Sequence, residues 1–209
     1  MIILKRATRE AIQYACMRFH YAKAVPCSPY AYNVYTTGGG WCGCVIFGPG
    51  ASPNLGISVG LKQGEYLELV RVALNGQQPC TSEVVAACLR QLHKDAPEVK
   101  IVISFADKDQ NHFGTIYQAT NWIYLGDYGV KKAQSYIING RKYHNKTIHD
   151  KGLSKADLLK IDPNMVEVSS LGKRKYIYVY DKKLRREWMK QAKPYPKKVN
   201  NDNIEEGNG

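Results

Sequence analysis

The chain has 209 residues, enough for one large domain, and its 44% hydrophobic and 23% charged residues are typical of a soluble globular protein. No apolar run approaches the roughly 18 residues of a membrane-spanning helix. The N-terminus has too few apolar residues before its first charges to form a signal peptide. Six cysteines without C-x-x-C spacing predict reduced thiols rather than disulfides or a zinc site. Together these features predict a cytoplasmic protein that does not enter membranes.

The net charge of +12 is concentrated in the C-terminal third of the chain. Residues 140–200 contain 17 Lys and Arg against six Asp and Glu, whereas the rest of the chain has 13 against 12. Aromatic residues alternate with the cations in 173–178 and 183–188, so rings can stack on bases while cations meet phosphates. The alternative is a solvated basic face beside an ordinary strand. The predicted nucleic-acid-binding residues are Lys173, Arg174, Lys175, Arg185 and Arg186.

In the first half of the chain, the capping residue Thr8 and the apolar spacing after it predict a helix to about residue 19. Alternation in 30–35 and 41–47 predicts a β-hairpin. The glycine-rich stretch 48–64 is a long loop, and such loops are more often functional than idle. Segment 65–74 is apolar on both faces, which predicts a central strand.

The second half continues with alternating helices and strands. The predicted elements are a helix at 81–93, a strand at 99–106, a helix at 113–121, a strand at 122–126, a hairpin of 135–138 and 141–144 around Asn139-Gly140, a helix at 154–161, a strand at 175–180 and a basic helix at 182–191. Because the first strands lack intervening helices, the order predicts an α+β or mixed α/β sandwich rather than a doubly wound fold. The composition from residue 193 onward predicts a disordered tail.

Two carboxylates stand out from spacing alone. Asp107 ends a buried strand before a polar loop, a position typical of catalytic groups, although capping of the next turn is the favoured interpretation. Glu68 lies inside an apolar strand, on the same face as Tyr66 and opposite Arg71. It either balances a structural cation or acts as a general base with a raised pKa.

Spacing alone also leaves open the roles of several other polar residues. Tyr117 and Asn121 lie four residues apart on a short helix, where a tyrosine is more often part of the core. His20 and Tyr21 follow a helix end. The sequence contains no Ser-His-Asp order, H-E-x-x-H helix or phosphate-binding loop, so the residues alone leave open whether the protein is an enzyme.

Three stretches carry a family resemblance: GLKQGE and ELVRVAL in 60–74, SFADKDQNHFG in 104–114, and IYQATNWIYLG in 116–126. They resemble the bacteriophage Mom family, which modifies adenine in DNA to the N6-carbamoylmethyl form and is similar to GNAT acyltransferases. The resemblance spans roughly residues 18–144. It implies a GNAT-like α/β fold with a catalytic core at 1–144. Charge and composition add a basic C-terminal extension, expected to pack on the core, at 145–192 and the tail at 193–209.

The resemblance also implies how a donor binds. GNAT folds splay two central strands apart, here 65–74 and 99–107, and the acyl donor threads the gap, where freed backbone N–H groups polarise its carbonyl. The segment 71–78 lacks the glycine pattern of the family's pyrophosphate loop, which disfavours acetyl-CoA. The product has the skeleton of glycinamide, so glycyl-tRNA is the expected donor. A small acyl-CoA-like donor with later amidation is the alternative.

Roles follow from the resemblance residue by residue. Asp107 or Glu68 would accept the proton of the attacking amine, and Tyr117 would protonate the leaving oxygen. Together, Asp107, His20 and His112 fit no standard metal-site spacing. The candidate catalytic residues are Asp107, Tyr117, Glu68, His20, His112 and Ser104. The candidate substrate-binding residues are Tyr21, Tyr66, Arg71, Asn121, Trp122 and Tyr124, with Tyr21, Trp122 and Tyr124 stacking on a flipped base.

The expected partners are double-stranded DNA and, as the source of the donor, tRNA. The protein would act in the host cytoplasm and protect phage DNA from restriction. Two alternatives remain at this stage: a GNAT-type N-acyltransferase that uses acyl-CoA on another substrate, and a non-catalytic nucleic-acid-binding protein.

Overall fold

The computed structural model describes residues 2–50, 53–129 and 131–197 of the chain. The strands and helices, in chain order, are β1 (Ile2–Arg6), α1 (Arg9–Phe19), β2 (Tyr30–Thr36), β3 (Trp41–Gly48), β4 (Tyr66–Leu74), α2 (Thr81–Asp95), β5 (Ile101–Asp107), α3 (Thr115–Ala119), β6 (Ile123–Tyr128), β7 (Lys131–Ile138), β8 (Arg141–His144), α4 (Asn145–Asp150), α5 (Lys155–Ile161), β9 (Val166–Ser170), β10 (Lys173–Val179) and α6 (Lys182–Met189). Short 3₁₀ turns occupy Pro53–Leu55, Ile57–Val59 and Lys108–Gln110.

The strands form two sheets. The larger has seven strands in the order β1-β2-β3-β4-β5-β10-β6, and the smaller has three in the order β8-β7-β9. Pairing is antiparallel from β1 through β4 and parallel between β4 and β5. The mixed α/β fold predicted from the sequence is thus confirmed.

The chain folds into two compact units that interleave along the sequence. Within the described residues, the first comprises 2–50, 53–105, 114–126 and 175–197, and the second comprises 106–113, 127–129 and 131–174. The division at residues 144 and 192 implied by the family resemblance stays a prediction. Within the described residues no helix is long and apolar enough to cross a membrane.

Helix α1 packs on one face of the larger sheet. Its buried Ile12, Ala15 and Cys16 contact a cluster that includes Cys44 and Ile46 of β3. Thr8 caps this helix by accepting a hydrogen bond from the Ala11 backbone, as predicted.

A second cluster of the same unit surrounds β5 and β10. Ile101, Ile103 and Ile177 are buried there, and Leu184 and Trp188 of α6 pack against them. Because Leu184 and Trp188 are four residues apart, they share one face of the basic helix and leave its cations on the other.

The second unit is built on the β7–β8 hairpin. Its turn residues Asn139 and Gly140 both have positive φ, as the Asn-Gly signal predicted. Ser154 and Asp157 form a capping box at the start of α5. The core of this unit consists of Tyr136, Ile138, Ile148 and Leu158.

Three elements escaped sequence reasoning: β1, α4 and β9. Strand β1 is an edge strand whose Lys5 and Arg6 are exposed, and β9 is an edge strand of mostly exposed residues. Each is only five residues long, too short for a period-two pattern to stand out from the sequence. Helix α4 is six mostly polar residues long, too short for a helical period to emerge.

The prediction of a disordered tail concerns mainly residues outside the described range. Residues 193–197 are described, and two hydrogen bonds connect them to β6 and to the residue that precedes it. The Lys193 N–H donates to the Tyr124 carbonyl at 2.9 Å, and the Tyr195 hydroxyl donates to the Trp122 carbonyl at 2.5 Å.

We expect Gly43→Ala to lower the free energy of unfolding by about 3 kcal/mol, because Gly43 has φ +120° and a methyl group would overlap the Ala73 carbonyl oxygen of the adjacent strand. Gly39→Ala is the matched control, since Gly39 also has positive φ, at +85°, but a methyl group there meets open space. It should cost only about 1 kcal/mol. Urea unfolding measures both, and equal losses would contradict the steric explanation.

Candidate active site

The parallel ladder between β4 and β5 is short. It joins only Tyr66 to Ile101, Leu67 to Val102 and Glu68 to Ile103, although both strands, described throughout, continue for several residues beyond these pairs. Past Glu68 the backbone of β4 therefore has no ladder partner on the β5 side. Such a gap exposes backbone donors and acceptors to a ligand.

Ser104 spans this gap immediately after the last pair. Its side chain is 1% exposed, and its Oγ lies 2.9 Å from the Leu69 carbonyl oxygen of β4 and 2.8 Å from the Tyr117 hydroxyl. A serine hydroxyl has one proton, and a carbonyl oxygen can only accept. Ser104 therefore donates to Leu69, and the Tyr117 hydroxyl donates to Ser104.

Tyr117 is positioned by the start of α3. Gly114 precedes the helix with φ +74°, and a Cβ there would lie 2.5 Å from the Tyr176 ring, so only glycine permits this packing. The Tyr117 ring lies 5.0 Å from the rings of Tyr176 and Trp122, between centroids. Burial raises the pKa of Tyr117 to about 12, and its hydroxyl is a proton donor rather than a base at neutral pH.

The electrostatic neighbours of Tyr117 identify which other candidates lie near it. Besides burial, Tyr21 and Glu68 both act to raise the pKa of Tyr117. Ser104, Tyr117, Glu68 and Tyr21 are thus brought together in the first unit.

The prediction that Glu68 and Arg71 lie on opposite faces of their strand is wrong. Gly48 pairs with Glu68 and Phe47 with Leu69, but Ile46 pairs with Arg71, so one extra residue of β4 forms a bulge. The bulge shifts the alternation by one position and turns both side chains to the same face. Sequence alternation alone contained no signal for this extra residue.

Arg71 is partly buried on that face. Its Nη1 donates to the Val70 carbonyl at 2.8 Å, and its Nε is buried without a hydrogen-bond partner among the described residues. Arg71 also acts electrostatically on Cys16 of α1. Burial raises the pKa of the Cys16 thiol, and the positive charge of Arg71 opposes that rise.

His20 and Tyr21 stack on each other just beyond α1, with 4.4 Å between ring centroids. The His20 Nδ1 accepts from the Ala22 N–H at 3.1 Å, so a neutral imidazole carries its proton on Nε2. Tyr21 is half exposed. Of the three residues predicted to stack on a flipped base, it is the accessible one.

The other two stacking candidates are interior residues. Trp122 is fully buried, Tyr124 is buried, and both belong to a row of rings that also contains Tyr176, Tyr117 and Tyr178. The Trp122 Nε1 has no partner among the described residues.

Two further candidates for substrate binding, Tyr66 and Asn121, contact other residues of the protein. Tyr66 is buried in the apolar cluster around β5. Asn121 has φ +61°, and its carbonyl accepts a hydrogen bond from Arg185 at 2.8 Å.

Asp107 and His112 lie in the second unit. The Asp107 carboxylate accepts from the Asp109 N–H at 3.0 Å and so caps the 3₁₀ turn, which is the capping role the sequence analysis favoured. His112 is exposed, and its carbonyl accepts from Arg174. Among the described residues no three His, Cys, Asp or Glu side chains are grouped closely enough to hold a metal ion.

The predicted nucleic-acid-binding cations differ in exposure. Lys173 and Arg186 are exposed, whereas Lys175 is only 9% exposed and donates to Ser58 Oγ at 2.9 Å. Burial lowers the pKa of Lys175. Arg174 lies over the Phe113 ring at 4.7 Å, and Arg185 binds the Asn121 carbonyl.

A small cavity of about 320 Å³ separates α2 from α3 in the first unit. Glu83 and Arg90 of α2 give it one charge of each sign. The loop before α2 is closed by its own side chains: Asn75 Nδ2 donates to the Trp41 carbonyl and to Gln77 Oε1, and Gln78 donates to Thr81.

Comparison with known proteins agrees with the resemblance. A model of the Mom protein family matches residues 1–197. The chain belongs to the Mom protein family. The methylcarbamoylase Mom of Escherichia phage Mu is 26% identical over 187 residues, covering 85% of this chain and 76% of the phage Mu protein.

Several solved structures similar to this Mom family member are described as acetyltransferases. An aminoglycoside acetyltransferase in complex with coenzyme A and kanamycin is 10% identical with a TM-score of 0.47, covering 90% of this chain and 98% of its own. A Bacillus subtilis acetyltransferase in complex with CoA is 7% identical with a TM-score of 0.46, covering 86% and 97%. A GNAT-family acetyltransferase from Bacillus cereus is 9% identical with a TM-score of 0.41, covering 87% and 99%.

We expect the stability of the protein to fall as pH rises from about 10 to 12, in part through Tyr117. Its folded pKa of about 12 exceeds the unfolded value of about 10, so its contribution is complete below pH 10 and is lost as pH rises through 12. Tyr117→Phe should remove that part of the pH dependence, roughly 1.4 kcal/mol per unit of pKa difference. Tyr14→Phe, at a half-exposed tyrosine, is the control, and equal pH profiles of the two variants would contradict the prediction.

Proposed function

We propose that this protein is a phage transferase that converts adenine in DNA to N6-carbamoylmethyladenine and so protects phage DNA from host restriction. Membership of the Mom family and the similarity to the phage Mu methylcarbamoylase support the proposal. The observation that carries it is the gap between β4 and β5, where Ser104 links a neutral Tyr117 hydroxyl to the strand backbone. An acyl group placed in this gap meets both backbone dipoles and a proton donor.

The gap suits a weak nucleophile. The lone pair of adenine N6 is delocalised into the ring, so orientation and polarisation of the acyl carbonyl contribute more than early deprotonation. Backbone groups of β4 beyond Glu68 are fixed by pairing with β3 on their other side, so they need no reorganisation as charge develops. The half-exposed Tyr21, stacked on His20, offers a ring face to a base that has left the duplex.

The proposed reaction uses one proton acceptor and one proton donor. When N6 attacks the donor ester, the N6–carbonyl bond forms, the ester C–O bond breaks, and N6 releases one proton. Glu68 or Asp107 accepts that proton, and the leaving oxygen takes one from Tyr117, whose hydroxyl turns from Ser104 to the leaving oxygen for this step. The high pKa of Tyr117 keeps it protonated for this step.

The proposed donor is glycyl-tRNA. The first step then gives an N6-glycyl amide with a free amine. That amine attacks C6 through a five-membered ring, the bond from C6 to the original nitrogen breaks, and a carbamoylmethyl group remains on a nitrogen that came from glycine. The closed loop before α2 and the acidic Glu83 in the first turn of that helix support this donor over acyl-CoA, whose pyrophosphate needs backbone N–H groups.

The proposal predicts a modified deoxyadenosine in DNA from cells that express the protein, measured by mass spectrometry of the nucleosides. Asp107→Asn should abolish it while leaving the fold intact, because the change keeps the size of the side chain and removes the charge that accepts the proton. If Asp107 only caps the 3₁₀ turn, the asparagine variant should keep full activity, since Asn caps equally well. Unmodified nucleosides from the folded wild-type protein would refute the function.

Donor identity is tested with purified protein, DNA and glycyl-tRNA labelled with ¹⁵N in glycine. We expect the label on the nitrogen bonded to C6 and not in the terminal amide, because the rearrangement exchanges the two nitrogens. Label in the terminal amide would refute the rearrangement. Incorporation of carbon from acetyl-CoA would favour the acyl-CoA alternative.

The predicted nucleic-acid-binding cations should contribute to DNA binding according to their exposure. Lys173→Gln combined with Arg186→Gln should reduce the log-log salt slope for duplex binding by about 1.8, at roughly 0.9 per phosphate contact. Lys175→Gln is the matched control, because that lysine is buried and bound to Ser58, and it should leave the slope unchanged. An unaltered slope in the double variant would mean that the two cations form only a solvated face.

A further inference from the structure

A second cavity, of about 470 Å³, lies within the second unit between the β7–β8 hairpin, α4 and α5. Its volume falls in the range typical of small-molecule sites. None of its lining residues belongs to the candidate active site or to the predicted nucleic-acid-binding cations. The lining consists of Ile138, Asn139, Arg141, Tyr143, Ile148, Lys151, Leu153, Leu158 and Ile161.

The walls of this cavity are held in place by hydrogen bonds. The Asn139 N–H donates to Asp162 Oδ2 at 2.8 Å, which fastens the hairpin turn to the end of α5. The Leu153 N–H donates to the Ile148 carbonyl at 3.2 Å and closes the end of α4. The capping box at Ser154 fixes the start of α5. The cavity is therefore built into the unit and does not depend on a ligand to open it.

The floor and the rim differ in chemistry. Ile138, Ile148 and Leu158 form an apolar floor and are buried. At the rim, Arg141 and Lys151 are exposed, and within the described chain neither forms an ion pair. Other lysines of the same unit are paired, as Lys108 is with Asp127 at 2.6 Å. The rim thus carries two exposed positive charges, and the Asp162 carboxylate, which accepts from the Asn139 N–H, is the acidic group placed beside this lining.

We propose that this cavity binds one unpaired nucleotide of a nucleic-acid strand. The base occupies the apolar floor beside the Tyr143 ring, Asn139 offers its amide to the polar edge of the base, and the phosphate meets Arg141 and Lys151. The ring and the amide favour a base over an aliphatic anion, which would use neither. The choice of partner rests on the proposed function, while the geometry of the cavity does not.

The first experiment uses the full chain with isotope-labelled Ile and Leu methyl groups and follows their NMR signals. Addition of dAMP should shift the signals of Ile148 and Leu158, and deoxyadenosine, which lacks the phosphate, should bind more weakly. Arg141→Gln with Lys151→Gln should abolish the difference between the two ligands. Lys142→Gln with Lys160→Gln makes the same charge change outside the cavity and should preserve it.

The second experiment measures binding of single-stranded DNA and of uncharged tRNA to the same variants. If both rim cations meet phosphates of one strand, the log-log salt slope should fall by about 1.4 for the strand that uses the site, at roughly 0.7 per contact. Which of the two nucleic acids shows the loss identifies the source of the nucleotide.

Several outcomes would overturn the inference. They are methyl signals unmoved by dAMP, signals moved by hexanoate but not by dAMP, and equal losses in the control variant. Modified deoxyadenosine in cells together with unmoved methyl signals would remove this site and leave the proposed function standing. Methyl signals that shift with dAMP, without modified deoxyadenosine in cells, would support this site and refute the proposed function.

Discussion

The early end of the parallel ladder between β4 and β5 is the constraint on which the rest of the candidate site depends. Three residue pairs hold the strands together, and after Glu68 and Ile103 they have no ladder. A buried backbone that loses its partner must be satisfied in another way. Ser104 satisfies one such group, the Leu69 carbonyl, and in doing so fixes the direction of the Tyr117 proton. A structural requirement of the sheet thus orients the proton donor.

Burial determines what Tyr117 can do in this position. It is packed between Tyr176 and Trp122 in a row of interior rings, where an anion would be poorly solvated. The same packing removes Trp122 and Tyr124 from the surface and leaves Tyr21 as the accessible ring near the gap. The aromatic residues therefore serve two purposes: most set the environment of one hydroxyl, and one is available to a substrate.

The positively charged side chains of the C-terminal third also differ in their exposure. The basic C-terminal third looks uniform in sequence, yet Lys175 is buried against Ser58, and Arg185 holds the Asn121 carbonyl. Lys173 and Arg186 are exposed. Since counterion release depends on cations that reach phosphates, only part of the formal charge of +12 is available to a polyanion.

The sequence by itself determined the mixed α/β fold, the family and most element positions. Caps and turns such as Thr8, Ser154 and Asn139-Gly140 are local, and they act through residues adjacent in the chain. Position and spacing alone placed Glu68 and Tyr117 among the candidates, and Ser104 was named with them after the resemblance. Edge strands such as β1 and β9 were missed because each is only five residues long, too short for its alternation to stand out from the sequence.

Only the tertiary structure decided how these residues are arranged. The bulge in β4, which turns Glu68 and Arg71 to one face, arises from pairing with a strand some 25 residues away, so alternation along β4 cannot reveal it. The burial of Lys175 and Tyr66 likewise follows from distant chain segments that cover them. Local patterns specify helices, strands and turns, whereas exposure and direction depend on what packs against them.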